Sequence, residues 1–325
     1  MNRKIGVVLF QLGGPDSLES VEPFLFNLFT DPDIIDLPFA FLFRKPLARL
    51  ISRRRGPYVR KHYEEIGGRS PILRMTRRQA AALEVRLRRE IDAKVFVAMR
   101  YWSPFTSEVI RQVTDEGIEQ VVLLPLYPQY SVATTGSSLH EWERVVQTNG
   151  LSALRYDLVE EYSTHPSFIR SLVENIGIAL RRVPSVDRKK VHLLFSAHGT
   201  PVKLVKRGDP YQRHVIQTYE SVVKEGQFGL AHSLCYQSKV GPEKWLEPSL
   251  DESIERLARE GTTHVIVVPL AFVSDHIETL HEINIEAKEE AKSLGIRHYD
   301  MMPALNTNRH FIEALADLVV TKVRG

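Results

Sequence analysis

The sequence predicts an α/β fold made of two similar domains, each a parallel sheet flanked by helices, with a cleft between them. Three observations support this prediction. Short runs rich in Val, Ile and Leu alternate with amphipathic stretches, as expected of parallel strands buried on both faces. The chain has 325 residues, which is long enough for two cores. A set of motifs also recurs in the same order in the two halves.

The apolar runs define the predicted strands. In chain order these are Lys4–Phe10, Val95–Arg100, Gln120–Leu126, Arg155–Val159, Val191–Phe195, His232–Tyr236, His264–Phe272 and Arg297–Met301. The predicted helices are Met75–Ile91, Ser107–Glu116, Pro166–Arg182, Asp209–Lys224, Leu250–Glu260, Ile277–Leu294 and Thr307–Val323. The connections between strands are long enough for the crossovers that a parallel sheet requires.

The two halves resemble each other in three motifs. VVLFQLGGP from Val7 aligns with LLFSAHGTP from Leu193, and EGIEQVVLLPL from Glu116 aligns with EGTTHVIVVPL from Glu260. The third motif, RYWSP, has a weaker counterpart in CYQSKVGP. Any two strand–helix units share apolar strands and Gly-Pro turns, but the ordered recurrence favours a duplicated architecture.

The alignment also predicts where chemistry lies. It places Leu12 opposite His198 and Thr134 opposite Glu278. If two similar domains face each other across a cleft, one wall carries His and Glu, and the other carries an apolar residue and a hydroxyl. The chemistry is then expected on one side. The predicted domains are 1–158, joined by a C-terminal helix at 303–325, and 159–302, which carries His198 and Glu278.

Composition excludes several classes. The single cysteine, Cys235, rules out an internal disulfide framework and any zinc or iron–sulfur site held by cysteines within one chain. The net charge of +3 is too small to indicate nucleic acid. No stretch reaches the roughly 18 apolar residues that span a bilayer. The run Ile5–Phe10 is short and lacks a following cleavage site, so it predicts a first strand rather than a signal peptide.

His198 stands at the end of the predicted strand in LLFSAHGTP. The carboxyl ends of parallel strands form the functional edge of an α/β sheet, so this position predicts a histidine facing a ligand crevice. The alternative is a structural histidine that is satisfied by its neighbours.

A line of acidic residues follows a later strand. Glu278, Glu282 and Glu286 recur at four-residue spacing, which places them on one face of a helix. They form either a solvated acidic face near a helix N-terminus or a track that leads a divalent metal to His198 and Glu278. One imidazole and one carboxylate suit Fe(II) with open positions, whereas structural zinc needs more ligands. We therefore expect a transient metal site.

The stretch Leu37–His62 joins an apolar run to many Arg and Lys residues and contains no acid. It predicts an amphipathic helix packing on the core, a helix on an anionic membrane surface, or an apolar lip with arginines at its edge. Such a lip suits a flat hydrophobic substrate bearing carboxylates. The last two interpretations are compatible.

Six motifs together resemble the ferrochelatase family, in its Gram-negative bacterial and mitochondrial form. They are FSAHGTP, RGDPY, QSKVGPEKWLEP, VPLAFVSDHIETLHE, YEEIGGRSPI and YPQYSVATTGSS, and they follow the family's order over nearly the whole chain. The resemblance implies two Rossmann-like domains that clamp a porphyrin. It also implies a lyase, a metal chelatase, that inserts Fe(II) into protoporphyrin IX to give protohaem with release of the two pyrrole protons, the terminal step of haem biosynthesis.

The resemblance also implies roles for particular residues. His198 and Glu278 match the family's pair for catalysis and transient Fe(II) binding, and Glu282 and Glu286 match the acidic line behind it. Positions that contact the porphyrin or line its pocket are matched by Leu12, Arg55, Tyr63, Ser70, Arg100, Tyr101, Trp245 and Asp275.

The resemblance further implies protoporphyrin IX and Fe(II) as partners, with iron as substrate and no permanently bound cofactor. The animal enzymes hold a [2Fe–2S] cluster with the cysteines of a C-terminal extension. No such cluster is expected here, because Cys235 is the single cysteine of this sequence. Gln11 stands where the family usually has Asn, so the contact made by the first strand is expected to differ from that of the family. A cytoplasmic monomer without a nucleic-acid partner is expected, with peripheral membrane contact through residues 37–62 as an option.

Alternative functions remain open. Within the chelatase class, coproporphyrin III is the rival substrate and sirohydrochlorin a less favoured one. The four propionates of coproporphyrin III call for more cations around the mouth of the site than the lip and TTGSS provide. A non-catalytic, two-lobed haem- or porphyrin-binding protein is a rival from another class. A dinucleotide oxidoreductase is disfavoured, because no G-x-G-x-x-G follows Lys4–Phe10.

Overall fold

A computed structural model describes residues 4–34, 40–151, 153–239 and 243–325, and only the backbone of residues 40–42. Residues 37–39 of the predicted lip and residues 240–242 of QSKVGPEKWLEP lie outside the described part. The chain forms two compact units. Unit 1 contains residues 1–161 and 312–325, and unit 2 contains residues 162–311.

Unit 1 is built on a four-stranded parallel sheet. Its strands are β1 (Ile5–Gln11), β2 (Ala93–Met99), β3 (Gln120–Pro125) and β4 (Arg155–Leu158), in the order β2-β1-β3-β4. Every residue of β1 is buried, since this strand lies inside the sheet and is covered on both faces. This burial explains its nearly continuous apolar run.

Helices cover the sheet of unit 1. They are α1 (Val21–Thr30), α2 (Ala40–Glu65), α3 (Ile72–Leu87), α4 (Thr106–Asp115), a first π-helix (Val132–Gly136) and α5 (Ser137–Thr148). One core cluster of this unit contains Val8, Phe10, Phe96, Leu123 and Trp142, all of them buried. Apolar side chains from β1, β2, β3 and α5 therefore lock the sheet to its helices.

Unit 2 is built on a second four-stranded parallel sheet. Its strands are β5 (Val191–His198), β6 (Ala231–Gln237), β7 (His264–Pro269) and β8 (His298–Met301), in the order β6-β5-β7-β8. Its helices are α6 (Pro166–Arg182), α7 (Val202–Lys206), α8 (Tyr211–Gly226), α9 (Leu250–Arg259), a second π-helix (Glu278–Glu286) and α10 (Ala287–Ser293).

The last helix, α11 (Arg309–Arg324), begins in unit 2 and continues in unit 1. Two ion pairs tie it to the end of α3 and the turn after it. The Arg86 guanidinium donates to both carboxylate oxygens of Glu313 at 2.6 Å, and Arg324 lies 3.0 Å from Glu90. Bidentate pairing gives the first contact a fixed geometry.

The prediction of a duplicated α/β architecture is confirmed. Both sheets are parallel and have the same strand order, and each unit places a π-helix after its third strand. Thr134 lies in the first π-helix and Glu278 begins the second, as the alignment of the halves predicts.

The structure corrects the predicted helix Ile277–Leu294. Its first part is the second π-helix, and only Ala287–Ser293 is α-helical. A π-helix bonds each N–H to the carbonyl five residues back, so its turns are wider. One carbonyl inside it, that of Ile283, accepts a hydrogen bond from the Tyr299 hydroxyl at 2.7 Å. Ile283 itself is buried in the core of unit 2.

The described residues contain no helix that combines the length and the apolar character needed to cross a bilayer.

Candidate active site

The carboxyl edge of the unit 2 sheet gathers polar side chains. His198 is the last residue of β5, Ser238 directly follows β6, and Glu278 begins the second π-helix after β7. In open α/β sheets, ligands bind at this edge, in the crevice formed where the loops after two neighbouring strands turn away from each other.

His198 and Glu278 form a hydrogen-bonded pair. His198 Nδ1 lies 2.9 Å from Glu278 Oε2, and the side chains are 39% and 21% exposed. Burial lowers the pKa of His198, but the charge of Glu278 and its hydrogen bond outweigh burial and raise the pKa above its ordinary value. Burial opposes ionisation of Glu278 as well, yet the charge and hydrogen bond of His198 lower its pKa to about 2. Glu278 is therefore ionised at neutral pH.

The pairing fixes the tautomer of His198. An ionised carboxylate only accepts hydrogen bonds, so Nδ1 carries the proton and donates it to Glu278. The lone pair of neutral His198 is then on Nε2, which has no hydrogen-bond partner among the described residues. This nitrogen is the open basic atom of the site.

Aromatic rings surround His198. Trp245 and Phe272 meet its ring edge-on, with centroids at 6.5 and 6.4 Å. His276 lies behind Phe272, with the two centroids 4.7 Å apart. His276 Nδ1 donates to the Ser274 carbonyl at 3.0 Å, and its Nε2 lies 4.0 Å from Glu278 Oε2. Burial lowers the pKa of His276, so the ring stays neutral beside the charged pair.

The other two glutamates of the acidic line have partners within unit 2. Ser238 Oγ donates to Glu282 Oε2 at 2.5 Å. Burial and the neighbouring charge of Glu278 raise the pKa of Glu282 to about 7, so this group changes protonation near neutral pH. Glu286, whose side chain is 45% exposed, lies 3.5 Å from Nδ1 of buried His281. The line thus runs from partly buried carboxylates to an exposed one.

Asp275, a predicted pocket residue, is tied to another loop. The Asn306 side-chain amide donates to Asp275 Oδ2 at 2.8 Å, and the backbone N–H of Asp275 donates to Asn306 Oδ1 at 3.2 Å. This reciprocal contact braces the segment between β7 and the second π-helix, which positions Glu278.

The predicted residues of unit 1 lie around the carboxyl ends of β1 and β2. The Leu12 carbonyl accepts from the N–H of Tyr101 at 3.0 Å. Gln11 is buried, and its Oε1 accepts from the N–H of Leu12 at 3.0 Å. The departure at Gln11 therefore shapes the turn at the end of β1. Arg100 and Tyr101 follow β2, and both contact the buried carboxylate of Asp31.

Ser70, Arg55 and Tyr63 are positioned by nearby packing. A Cβ on Gly14 would lie 2.6 Å from Cβ and Oγ of Ser70, so glycine is required there for close approach. The Arg55 guanidinium lies 5.9 Å from the Phe29 ring centroid in a cation–π contact. Tyr63, on α2, is buried.

Sequence reasoning did not assign a role to Ser238, His276, Phe272, Asn306 or Asp31. Ser238, Phe272 and His276 lie inside the motifs that pointed to the site, so their neighbourhood carried a signal. Asn306 and Asp31 stand in loops far along the chain from their partners, and nothing local marks them.

Comparison with known proteins identifies the family. The family model described as Ferrochelatase matches residues 4–323. Ferrochelatases of Geotalea daltonii and Aquifex aeolicus are 47% and 44% identical to this chain over 98% of it, and 98% and 100% of those proteins are covered. A ferrochelatase of Synechocystis is 44% identical over 98% of this chain and 82% of its own length.

Solved structures support the fold. SirB from Bacillus subtilis with Fe³⁺ superposes with a TM-score of 0.57 at 11% identity, covering 98% of this chain and 95% of that chain. CbiX, described as the terminal enzyme of sirohaem biosynthesis in denitrifying bacteria, gives 0.52 at 10% identity, covering 98% and 99%. At sequence identities this low, the similarity shows only a shared fold. With the family match over nearly its full length and the relatives above, the chain belongs to the ferrochelatase family.

Proposed function

We propose that this protein inserts Fe(II) into protoporphyrin IX to give protohaem, the terminal step of haem biosynthesis. The observation that carries the proposal is the His198–Glu278 pair at the carboxyl edge of the unit 2 sheet. It offers a basic nitrogen, Nε2, next to an ionised carboxylate. Proton removal and cation binding are the two tasks that such a pair suits.

Metal insertion places three demands on the site. Both pyrrole N–H bonds must break, the nitrogen lone pairs must point out of the macrocycle plane, and the hydrated ion must lose water. Each proton leaves as its N–H electron pair becomes a lone pair, and the metal then accepts that pair. Apolar walls favour transfer of the hydrophobic macrocycle out of water. Binding energy from parts of the porphyrin far from its nitrogens can then distort the ring toward the geometry for metal entry.

His198 acts as the proton acceptor in this scheme. Its Nε2 takes one pyrrole proton, and the imidazolium formed is stabilised by Glu278, which is already ionised. Once that proton has been passed on, Nε2 takes the second pyrrole proton in the same way. Glu282, with a pKa of about 7, can take up a proton near neutral pH and pass it toward exposed Glu286. The same carboxylates can hold the incoming cation on its way to His198 and Glu278.

The test separates binding from chemistry. In His198→Ala, we expect Fe(II) or Zn(II) insertion to fall by about a hundredfold or more, with porphyrin affinity within a few-fold of wild type. His232, an exposed histidine near the amino end of β6, supplies the matched control His232→Ala, which we expect to insert metal normally. Normal insertion by a folded His198→Ala protein would overturn the assignment.

The substrate is proposed to be protoporphyrin IX rather than coproporphyrin III. Insertion assays with both porphyrins in competition decide between them. Tight haem binding without turnover in anaerobic incubation with Fe(II) would instead favour the non-catalytic haem-binding protein. We also propose that the protein holds no resident [2Fe–2S] cluster and that it is a monomer. Iron analysis of the purified protein tests the first point, and sedimentation tests the second.

We further propose peripheral membrane contact through residues 37–62. Among the described residues of this stretch, Phe43, Leu50 and Tyr58 are exposed, at 65%, 48% and 57%. They share α2 with many basic side chains, which is the composition of an interfacial helix. Pelleting with anionic liposomes at low salt, compared with an Arg53/Arg54 charge-removal variant, tests this contact. No pelleting at low salt would remove it.

A further inference from the structure

The carboxylate of Asp31 is a buried charge whose oxygens are both bonded. Its side chain is wholly shielded from solvent. Oδ2 accepts from the Tyr101 hydroxyl at 2.6 Å and the Ser137 hydroxyl at 2.5 Å, and it lies 2.9 Å from Arg100 Nη2. Oδ1 accepts from the N–H of Asp33 at 2.9 Å. A carboxylate offers about four acceptor positions, so these contacts satisfy it.

Arg100 is the outermost member of this cluster. Its Nε donates to the Ser137 hydroxyl at 2.8 Å and to the Ser137 carbonyl at 3.2 Å. The guanidinium carbon lies 5.0 Å from the Tyr101 ring centroid. Two nitrogens and one face of the guanidinium are thus fixed, while Nη1 has no polar partner within the part of the chain that the structure describes.

The position of Arg100 points to a ligand. It directly follows β2, at the carboxyl edge of the unit 1 sheet, and its side chain is still 16% exposed. A planar guanidinium held in one orientation can meet the flat face or edge of an aromatic ligand. Asp31 makes no such contact, because no part of its side chain is exposed.

We infer that Asp31 is a positioning residue of the porphyrin site, acting through Arg100. This inference rests on the proposed function. When the hydrophobic macrocycle covers Arg100, it removes the guanidinium from water, and this transfer costs free energy if the cation has no partner charge. Asp31 supplies the partner charge in advance. It also holds Arg100 in one orientation, so little side-chain freedom is lost when the porphyrin binds.

The experiment measures porphyrin affinity without metal, by quenching of porphyrin fluorescence. In Asp31→Asn the shape is kept and the charge is lost, so we expect affinity for protoporphyrin IX to fall by about tenfold. The turnover number at saturating porphyrin stays within about twofold of wild type, because the His198–Glu278 pair is unchanged. Ser137→Ala, a milder change in the same cluster, weakens binding by a smaller factor in the same assay.

The double variant separates positioning from general structural damage. If Asp31 acts through Arg100, Asp31→Asn has no further effect on affinity in an Arg100→Met background. Glu313→Gln, which breaks the Arg86 ion pair in the same unit, is the control for lost stability and keeps wild-type affinity.

Two outcomes overturn the inference. One is unchanged porphyrin affinity in folded Asp31→Asn or, should that protein not fold, in Ser137→Ala. The other is an equal loss of affinity with and without Arg100. Failure of the proposed function is distinct, since it appears as absence of metal insertion by the wild type.

Discussion

His198 donates a hydrogen bond from Nδ1 to Oε2 of Glu278 over 2.9 Å, across eighty positions of sequence. The two residues come from different strands' carboxyl ends, β5 and the segment after β7, which are neighbours in the sheet. The bond keeps Glu278 ionised and directs the free lone pair of His198 to Nε2. This contact should therefore be one determinant of the pH dependence of activity, beside the protonation of Glu282.

Replacing Glu278 by Gln should shift the pH profile. Glu278 raises the pKa of His198, so neutral His198, the proton acceptor, accumulates only as pH rises through that raised value. In Glu278→Gln the negative charge is gone while burial remains, and burial lowers a histidine pKa. The acidic limb of kcat against pH should move to lower pH, and kcat should fall about tenfold to a hundredfold. An acidic limb that stays in place or moves upward would contradict this role.

Ser238 should matter for metal rather than for porphyrin. Its hydroxyl donates to Glu282, and removing a hydrogen bond to a charged group costs about tenfold in binding, so the apparent KM for Fe(II) should rise by about that factor in Ser238→Ala. Porphyrin affinity should change little. An effect confined to porphyrin affinity would argue against the link to Glu282.

Ser238 also carries backbone strain that allows a matched comparison. Its φ is 67°, in the left-handed region that favours glycine. Ser238→Gly should impair the metal step as much as Ser238→Ala, yet be about 1 kcal/mol more stable than that variant in urea unfolding. Equal stability of the two variants would contradict the strain.

A methyl group at Gly14 should disturb the unit 1 edge. In Gly14→Ala the new Cβ would lie 2.6 Å from Cβ and Oγ of Ser70, so Ser70 must move. We expect a loss of about 1–3 kcal/mol of unfolding free energy, measured in urea, as for other overpacked sites. Gly56→Ala is the control, because the nearest atom to its added Cβ is at 3.7 Å and the position is helical. If Gly14→Ala had the unfolding free energy of the wild type, Ser70 would move aside without a measurable cost, which would contradict this prediction.

His192 should make unit 2 sensitive to acid. Burial, followed by the charge of Arg256, lowers the pKa of His192 from 6.5 to about 4. Between those values the unfolded chain binds a proton that the folded chain does not, so stability rises with pH in this window and is lost as pH falls. From about pH 7 to pH 5 we expect His192 to account for about 1–2 kcal/mol of the loss.

The measurement is urea unfolding of His192→Gln at both pH values. This variant should lose less stability on acidification than the wild type. His232→Gln, on the neighbouring strand β6, should lose as much as the wild type. A pH dependence of His192→Gln equal to that of the wild type would contradict the assignment.

Much of the fold was predictable because its signals are local. The apolar runs marked the strands of both sheets to within a few residues of their ends, and the repeat of motifs predicted two similar domains, whose sheets share one strand order. The alignment of the halves also assigned His198 and Glu278 to the same domain and the same ligand-facing wall, and the structure brings the two side chains into a hydrogen bond.

Other features escaped prediction for physical reasons. The π-helices have no periodicity that separates them from α-helices in a short stretch, and their wide turns depend on packing such as that of Ile283. The partners of Asp31 are set by tertiary approach over a separation of 70 and 106 positions. The helices α1, α5 and α7 were not among the predicted segments either.

Unit 1 is assembled from both ends of the chain. Its sheet and most of its helices come from residues 1–161, but residues 312–325 belong to it as well, and Glu313 and Arg324 pair with Arg86 and Glu90. During synthesis the ribosome releases the strands of unit 1 long before these last residues. The nascent unit must therefore wait, with the surface that α11 covers still open, while all of unit 2 is translated.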